Sequence, residues 1–272
     1  LSAPRKIDRR EGRGLFGLDP ESYDRARPEY PDEVWALLGD RCGLGPGCRV
    51  FEVGPGTGRA TRRLAQMGAA SILAIEPDER FAPYLKAIEA ETGAPVDVRV
   101  QAFDEADLPA ASFDLGVAAT SFHWVAAGPG LLKAAAALRP GGWWAMWWYV
   151  FGDPRRLDPF QQATDHILAP LMPSPSQGEK PGIPRALDQE ARRAELEAVP
   201  EFHKIEAQVW PRTFPLNTDQ VRALYATFSP IARLEESERL RVLDAVADAA
   251  EKQFNGRVER RILTALYVAQ RR

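Results

Sequence analysis

The chain has 272 residues, 45% of them hydrophobic, enough for a core that fills one large domain or a domain with a cap. Its 35 basic and 38 acidic residues leave a net charge of −3, which gives no overall attraction to nucleic acid or to an anionic membrane. The longest apolar run, residues 143–151, is far shorter than the roughly 20 residues of a membrane span. Cys42 and Cys48 lie close together, and with only three histidines no metal-ligand spacing is present. No secretory signal is recognisable, so reduced thiols, a cytoplasmic location and no metal are expected.

Taken in chain order, residues 1–18 begin basic and lack periodicity, which predicts a flexible arm. Residues 20–40 predict a helix, with Val34, Leu37 and Leu38 at helical spacing. Its leading segment, residues 23–31, sets two tyrosines and two arginines among prolines and suits a loop folded over a pocket. Val50, Phe51 and Val53 favour a strand, and Gly54, Gly56 and Gly58 follow at once in a turn without Cβ atoms. A helix over residues 57–67 then offers its N-terminus to an anion or a polar ligand. Residues 71–76 read as a second apolar strand ending in Glu76, before a helix over 77–92. Residues 96–104 read as a strand running into a polar turn, and residues 112–125 as a buried strand ending in the cluster Thr120, Ser121, Phe122, His123 and Trp124. A helix over 131–138, a turn at Pro140, Gly141 and Gly142 and a strand from Trp143 complete the alternation, which implies a parallel sheet with helices on both faces. One slip of register on the last strand would exchange the faces of its four tryptophans. Prolines at 170, 173, 175, 181 and 184 break up residues 152–200, which read as a helical cap. Residues 202–214 and 263–270 read as closing strands, with amphipathic helices over 219–228 and 236–254 between them.

The glycine turn does not follow the dinucleotide pattern G-x-G-x-x-G, because Arg59 occupies the third small position. Glu52, an acid just before the turn, suits a positively charged ligand group better than a pyrophosphate. Acid followed by G-x-G-x-G resembles the first motif of the Rossmann-like class I S-adenosylmethionine-dependent methyltransferases. Phe122-His123-Trp124 and Leu138-Arg139-Pro140-Gly141-Gly142 are similar to landmarks of its small-molecule, methyltransferase type 11-like subgroup. The segment Tyr23-x-x-x-Arg27-Pro-x-Tyr30-Pro resembles one that precedes the core in that subgroup. The stations occur in family order over about residues 20–150.

The resemblance implies a doubly wound α/β fold with a seven-stranded, mostly parallel sheet, an antiparallel C-terminal strand and a helical cap insertion. It divides the chain into an arm (1–18), a cofactor-binding core with a lid helix (19–151), a cap (152–200) and closing strands with helices (201–272). It implies S-adenosyl-L-methionine as cofactor and S-adenosyl-L-homocysteine as product. Glu52 would lie near the methionine ammonium, directly or through water, and Gly54, Pro55, Gly56, Thr57 and Gly58 would pass under the methionine part. Glu76, followed by Pro77, would accept the ribose hydroxyls. Phe103 and Asp104 would clamp the adenine, with Asp107 as a competitor. Thr120, Tyr23 and Arg27 would complete the cofactor site, Arg27 reaching the methionine carboxylate. Tyr30, Phe122, His123, Trp124 and Trp148 would line the substrate.

The expected reaction is in-line transfer of a methyl group to an oxygen, nitrogen or carboxylate of a small molecule by a monomer or homodimer, with no nucleic acid or membrane partner. Where the acceptor must lose a proton, His123 is the candidate base, since histidine titrates near neutrality. Three alternatives stay open. One is a cofactor-binding protein without transferase activity, since glycine turn and acid speak only for binding. A second is a nicotinamide-dependent oxidoreductase, against which Arg59 and Glu52 argue. The third is nucleic-acid methylation, which often goes with an Asn/Asp-Pro-Pro-aromatic run where this chain has residues 120–124.

Overall fold

The computed structural model of the chain describes residues 6–180 and 182–272; Pro181 of the expected proline cluster and the first residues of the expected arm lie outside them. In chain order the elements are α1 (Arg9–Arg13), α2 (Pro20–Ala26), α3 (Asp32–Asp40), β1 (Arg49–Val53), α4 (Arg59–Gln66), β2 (Ser71–Glu76), α5 (Ala82–Thr92), β3 (Val96–Val100), β4 (Phe113–Ala119), α6 (Ala127–Ala137) and β5 (Leu138–Val150). They continue with α7 (Pro159–Leu168), α8 (Gln189–Glu197), β6 (Phe202–Asn217), α9 (Thr218–Ala226), α10 (Ser229–Ala232), α11 (Glu236–Phe254) and β7 (Arg257–Arg271). The sheet has seven strands in the order β3-β2-β1-β4-β5-β7-β6. Strands β1 to β5 pair in parallel and the C-terminal strands are antiparallel. The order reverses between β1 and β4, the place in a doubly wound sheet where ligands bind beyond the strand ends.

Two compact units share the chain. One comprises residues 29–148, 186–210 and 264–272 and contains β1 to β4 with α3 to α6 and α8. The other comprises residues up to 28, 149–185 and 211–263. Of the segment 152–200, residues 152–185 group with α9 to α11, and residues 186–200 group with the strand unit. The reason is apolar burial, since Phe160 of α7 shares one core with Val221, Leu224 and Tyr225 of α9 and Leu243 and Val246 of α11.

Part of the expected arm is ordered. Asp8 caps α1 by accepting from the Arg10 N–H at 2.8 Å, and buried Ile7 donates its N–H to the Pro173 carbonyl at 2.9 Å. The helix expected over 20–40 is two helices. Asp19 caps α2 through the Ser22 N–H and Pro20 occupies its first turn, while Pro28 and Pro31 stop the chain from continuing as one helix. Tyr23 thus sits on a helix and not on a loop.

The register of β5 settles the tryptophans. Leu138 pairs with Phe113 and Trp143 with Leu115, so residues 139–142 loop out, with Gly141 at φ 81°. Trp143, Ala145 and Trp147 then join Val50, Ile72, Leu115 and Val117 in the core under α3, α4 and α5. Trp144 takes the opposite face, where it meets Phe51. Phe51, Gly116 and Trp144 are cross-strand partners, and the two rings close over the glycine at 5.9 Å and 23°. A Cβ on Gly116 would lie 2.2 Å from Phe51 Cζ and 2.9 Å from Trp144 Cε3. Gly116→Ala is expected to lower stability by about 1–3 kcal/mol through overpacking, seen as a lower denaturant midpoint at unchanged slope.

Candidate active site

The turn after β1 divides labour among its three glycines, all at positive φ. A Cβ on Gly54 would strike Ser121 Cβ at 2.8 Å, and one on Gly58 would strike Ile88 Cδ1 of α5 at 2.3 Å. A Cβ on Gly56 would meet nothing within 4 Å. Gly54 therefore admits the loop after β4, and Gly58 admits α5. Gly56 alone faces open space, so only its missing side chain can serve a ligand. Gly58 supplies the close helix packing that the dinucleotide pattern assigns one residue later, which leaves Arg59 free to pair with Glu29 at 2.7 Å.

Two acids frame this turn. Glu76, at the end of β2, accepts the Gly56 N–H at 2.9 Å on Oε2 and the Asp78 N–H at 3.0 Å on Oε1. Glu52 is fully buried (0% exposed) on β1, level with Ala74 of β2 and Val117 of β4. The Thr61 hydroxyl of α4 donates to its Oε2 at 2.7 Å, while Oε1 has no hydrogen-bond partner among the described residues. Burial pushes Glu52 up to about 7, with the Glu76 charge adding to the shift and the Thr61 bond opposing it. A buried carboxylate with an unpartnered oxygen fits a cationic group, as the ammonium of S-adenosylmethionine would be. The open space at Gly56 lies beside the Glu76 carboxylate, an acceptor suited to a hydroxylated ligand.

The loop after β4 is fastened to this frame. The Ser121 hydroxyl donates to the Val53 carbonyl, and the Thr120 N–H donates to the Trp147 carbonyl at 2.7 Å. Thr120 sits at φ 56°, a conformation costly for a β-branched residue by about 1–3 kcal/mol. Its hydroxyl lies 2.8 Å from that of Tyr30, which packs edge-on against Trp147 and Trp35. His123 and Trp124 lie in the single turn Phe122–Trp124, and Trp148 donates its indole N–H to His123 Nδ1 at 3.1 Å.

Other expected site residues are placed differently. The Phe122 ring is buried edge-on to Trp144 and the Phe103 ring is buried and stacks on Phe51, so both rings pack in the core. The loop that follows β3 is held by Lys133 of α6, whose ammonium donates to the carbonyls of Phe103, Asp104 and Ala106 at 2.7–3.0 Å. The Asp104 and Asp107 side chains are exposed, while Pro55, Pro77 and the buried Thr57 stay with their turns. In the other unit, Arg27 donates to Thr227 Oγ1 at 2.8 Å and to its carbonyl at 3.0 Å. The same guanidinium lies over the rings of Tyr23, Phe151 and Phe228 at 4.6–5.6 Å. These contacts occupy two of its donors, although the resemblance directs it to the methionine carboxylate. Ser121 lies in the run Thr120–Trp124 marked in the sequence, whereas Thr61 and Lys133 were not singled out; Thr61 had a legible signal, being three residues past the last glycine on the first turn of α4.

Cys42 and Cys48 are free and buried, and burial pushes their thiols up to about 12 and about 11, so neither is a reactive thiolate. Among the described residues no helix is long and apolar enough to cross a membrane.

The strand order with its antiparallel C-terminal strands is that of the class I methyltransferase fold. The family model of a methyltransferase domain matches residues 51–146. An uncharacterised methyltransferase of Schizosaccharomyces pombe is 24% identical over 260 residues, covering 94% of this chain and 96% of the relative. Another from Mycobacterium tuberculosis is 31% identical over 135 residues; that match takes in 49% of this chain and 51% of the relative. Among solved structures, the YcgJ protein of Bacillus subtilis superposes with a TM-score of 0.59 at 13% identity, covering 89% of this chain and 99% of its own. Phosphoethanolamine N-methyltransferase 2 of Haemonchus contortus superposes with a TM-score of 0.58 at 13% identity, covering 99% of this chain and 61% of its own.

Glu52 makes stability depend on pH in a stated direction. Its pKa in the folded protein is raised from an ordinary 4.5 to about 7, so the folded chain holds the extra proton between those values. Its contribution is fully present below pH 4.5 and is lost as pH rises through about 7, by up to about 3 kcal/mol. Glu52→Gln is expected to remove this slope and to melt higher than the wild type above about pH 7.5, as read by thermal melts across pH.

Proposed function

We propose that the chain transfers the methyl group of S-adenosylmethionine to a small-molecule acceptor at the carboxyl ends of β1, β2 and β4. The observation that carries this reading is the pairing of an open Gly56, tied by its N–H to Glu76, with the unpartnered buried oxygen of Glu52. When bound, the cofactor supplies a methyl group activated on a positive sulfur. Glu52 would face the ammonium, Glu76 would accept the ribose hydroxyls, and the loop over residues 103–106, shaped by Lys133, would border the adenine. The Tyr30–Thr120 pair and His123 with Trp148 then stand at the acceptor end. What these residues contribute is positioning and exclusion of water, since the displacement needs nucleophile, carbon and sulfur in line; correct placement supplies up to about 7–11 kcal/mol.

A small acceptor is supported by the net charge of −3 and by Thr120-Ser121-Phe122-His123-Trp124 at the place where base-modifying relatives often carry Asn/Asp-Pro-Pro-aromatic. The Haemonchus contortus neighbour, named for methylating phosphoethanolamine, points the same way. Fold alone does not fix the chemistry: the [4+2]-cyclase SpnF superposes with a TM-score of 0.58 at 17% identity, covering 99% of both chains.

Calorimetric titration tests the reading. S-adenosylmethionine is expected to bind and NADH is not, and Glu76→Ala is expected to weaken binding by about 10- to 100-fold through loss of charge-assisted hydrogen bonds. Binding of NADH alone would contradict it.

A further inference from the structure

Lys133, in the middle of α6, is half-buried and spends its ammonium entirely on backbone. It donates to the carbonyls of Phe103 at 3.0 Å, Asp104 at 2.7 Å and Ala106 at 3.0 Å, and it lies 5.7 Å from the centre of the Phe103 ring. Three protons meet three carbonyls, so no donor is left over. Among the described residues no acid pairs with it. Carbonyl dipoles balance its charge, as they do for a monovalent cation in a carbonyl ring.

The loop depends on this contact. Its own bonds are few: the Glu105 and Ala106 N–H groups both reach the Ala102 carbonyl at 3.0 Å, and Arg99 takes the Asp107 carbonyl at 2.7 Å. Every peptide here is trans and planar, so aiming a carbonyl at Lys133 turns the next N–H the opposite way. Lys133 therefore sets the loop's donor pattern as well as its path. The loop leaves the sheet at the candidate cofactor end. Val100, the last residue of β3, is level with Glu76, and the Phe103 ring stacks at 6.2 Å on Phe51, the neighbour of Glu52. About one turn before Lys133, a Cβ on Gly130 would lie 2.6 Å from Val125 Cγ1 and 3.0 Å from Phe122 Cζ. One helix thus fixes the loops after β3 and β4 relative to each other.

We propose that Lys133 is a positioning residue for the adenine. It is a tethered point cation that holds the loop over residues 103–106 in the shape that recognises the base, and it sets selectivity for the adenosyl part of the cofactor without donating to it. This deepens the methyltransferase reading above and rests on it.

The test is calorimetric titration with S-adenosylhomocysteine and with S-ribosylhomocysteine, the same molecule without its adenine, the second read by displacement of the first. Lys133→Ala is expected to weaken the first ligand by about 10- to 100-fold and to leave the second within about twofold. Added propylammonium, at fixed ionic strength, should recover about fivefold or more of that loss by returning three N–H donors to the carbonyls; tetramethylammonium, which has no N–H, should recover none. Lys133→Arg keeps the charge but spreads its donors over a planar fork, and is expected to lose about tenfold for the first ligand alone. It carries the test if Lys133→Ala does not fold. Variants that bind S-adenosylhomocysteine within about twofold of the wild type, or that lose the same factor for both ligands, would overturn the proposal and leave the methyltransferase reading standing. A wild type that binds neither ligand would sink that reading and the proposal with it.

Discussion

A carboxylate that water cannot reach, at the end of β1, is the constraint around which the site is arranged. Glu52 projects from the same face of β1 as Val50, into the layer where α4 covers the sheet. An unpaired charge there is costly, so the protein holds it near the edge of ionisation, with one oxygen fixed by Thr61 and the other without a partner. Such a group is a poor contributor to stability. Its retention at this position makes physical sense if a cation completes it. The nearby Glu76 adds repulsion between the two acids, which the same cation would relieve.

Everything beside Glu52 works to keep the surrounding backbone in one arrangement. Ser121 fastens the loop after β4 to the Val53 carbonyl, and Gly54 allows the two loops to approach within contact distance. Gly56 is tied to Glu76, so the first two strand ends share one hydrogen-bonded rim. Thr120 is held at a left-handed φ by the Trp147 carbonyl and the Tyr30 hydroxyl. Strain of this sort persists only where neighbours over-determine it, and it falls at the mouth of the switch point between β1 and β4. The site is thus preorganised, as positioning catalysis requires.

Much of this was legible in the sequence. The strands along the chain were legible as apolar runs, the resemblance implied the seven-stranded sheet with its antiparallel end, and the glycine turn with Glu52 and Glu76 marked the candidate cofactor end. Periodicity also placed α11 over residues 236–254, which matches Glu236–Phe254. What escaped depends on three-dimensional neighbours. Three glycines at alternating positions look alike in sequence, yet one faces a serine, one a helix and one open space. The tryptophan faces hinged on a loop-out at residues 139–142 that no alternation pattern encodes. Phe103 and Phe122 read as site residues by position, while the packing of their rings, Phe103 on Phe51 and Phe122 against Trp144 beside Gly130, is set by partners distant in the chain. The hydrogen bond from Trp148 to His123 joins residues 25 apart in the chain, and no motif announces it.

The central claim is that Glu52 awaits a cation supplied by the ligand. It is tested most directly by titrating S-adenosylhomocysteine calorimetrically at about pH 6 in buffers of different ionisation enthalpy, which reads protons exchanged on binding. The account predicts release of about one proton per ligand bound, vanishing in Glu52→Gln. Binding without proton release, or a release that survives the substitution, would contradict it.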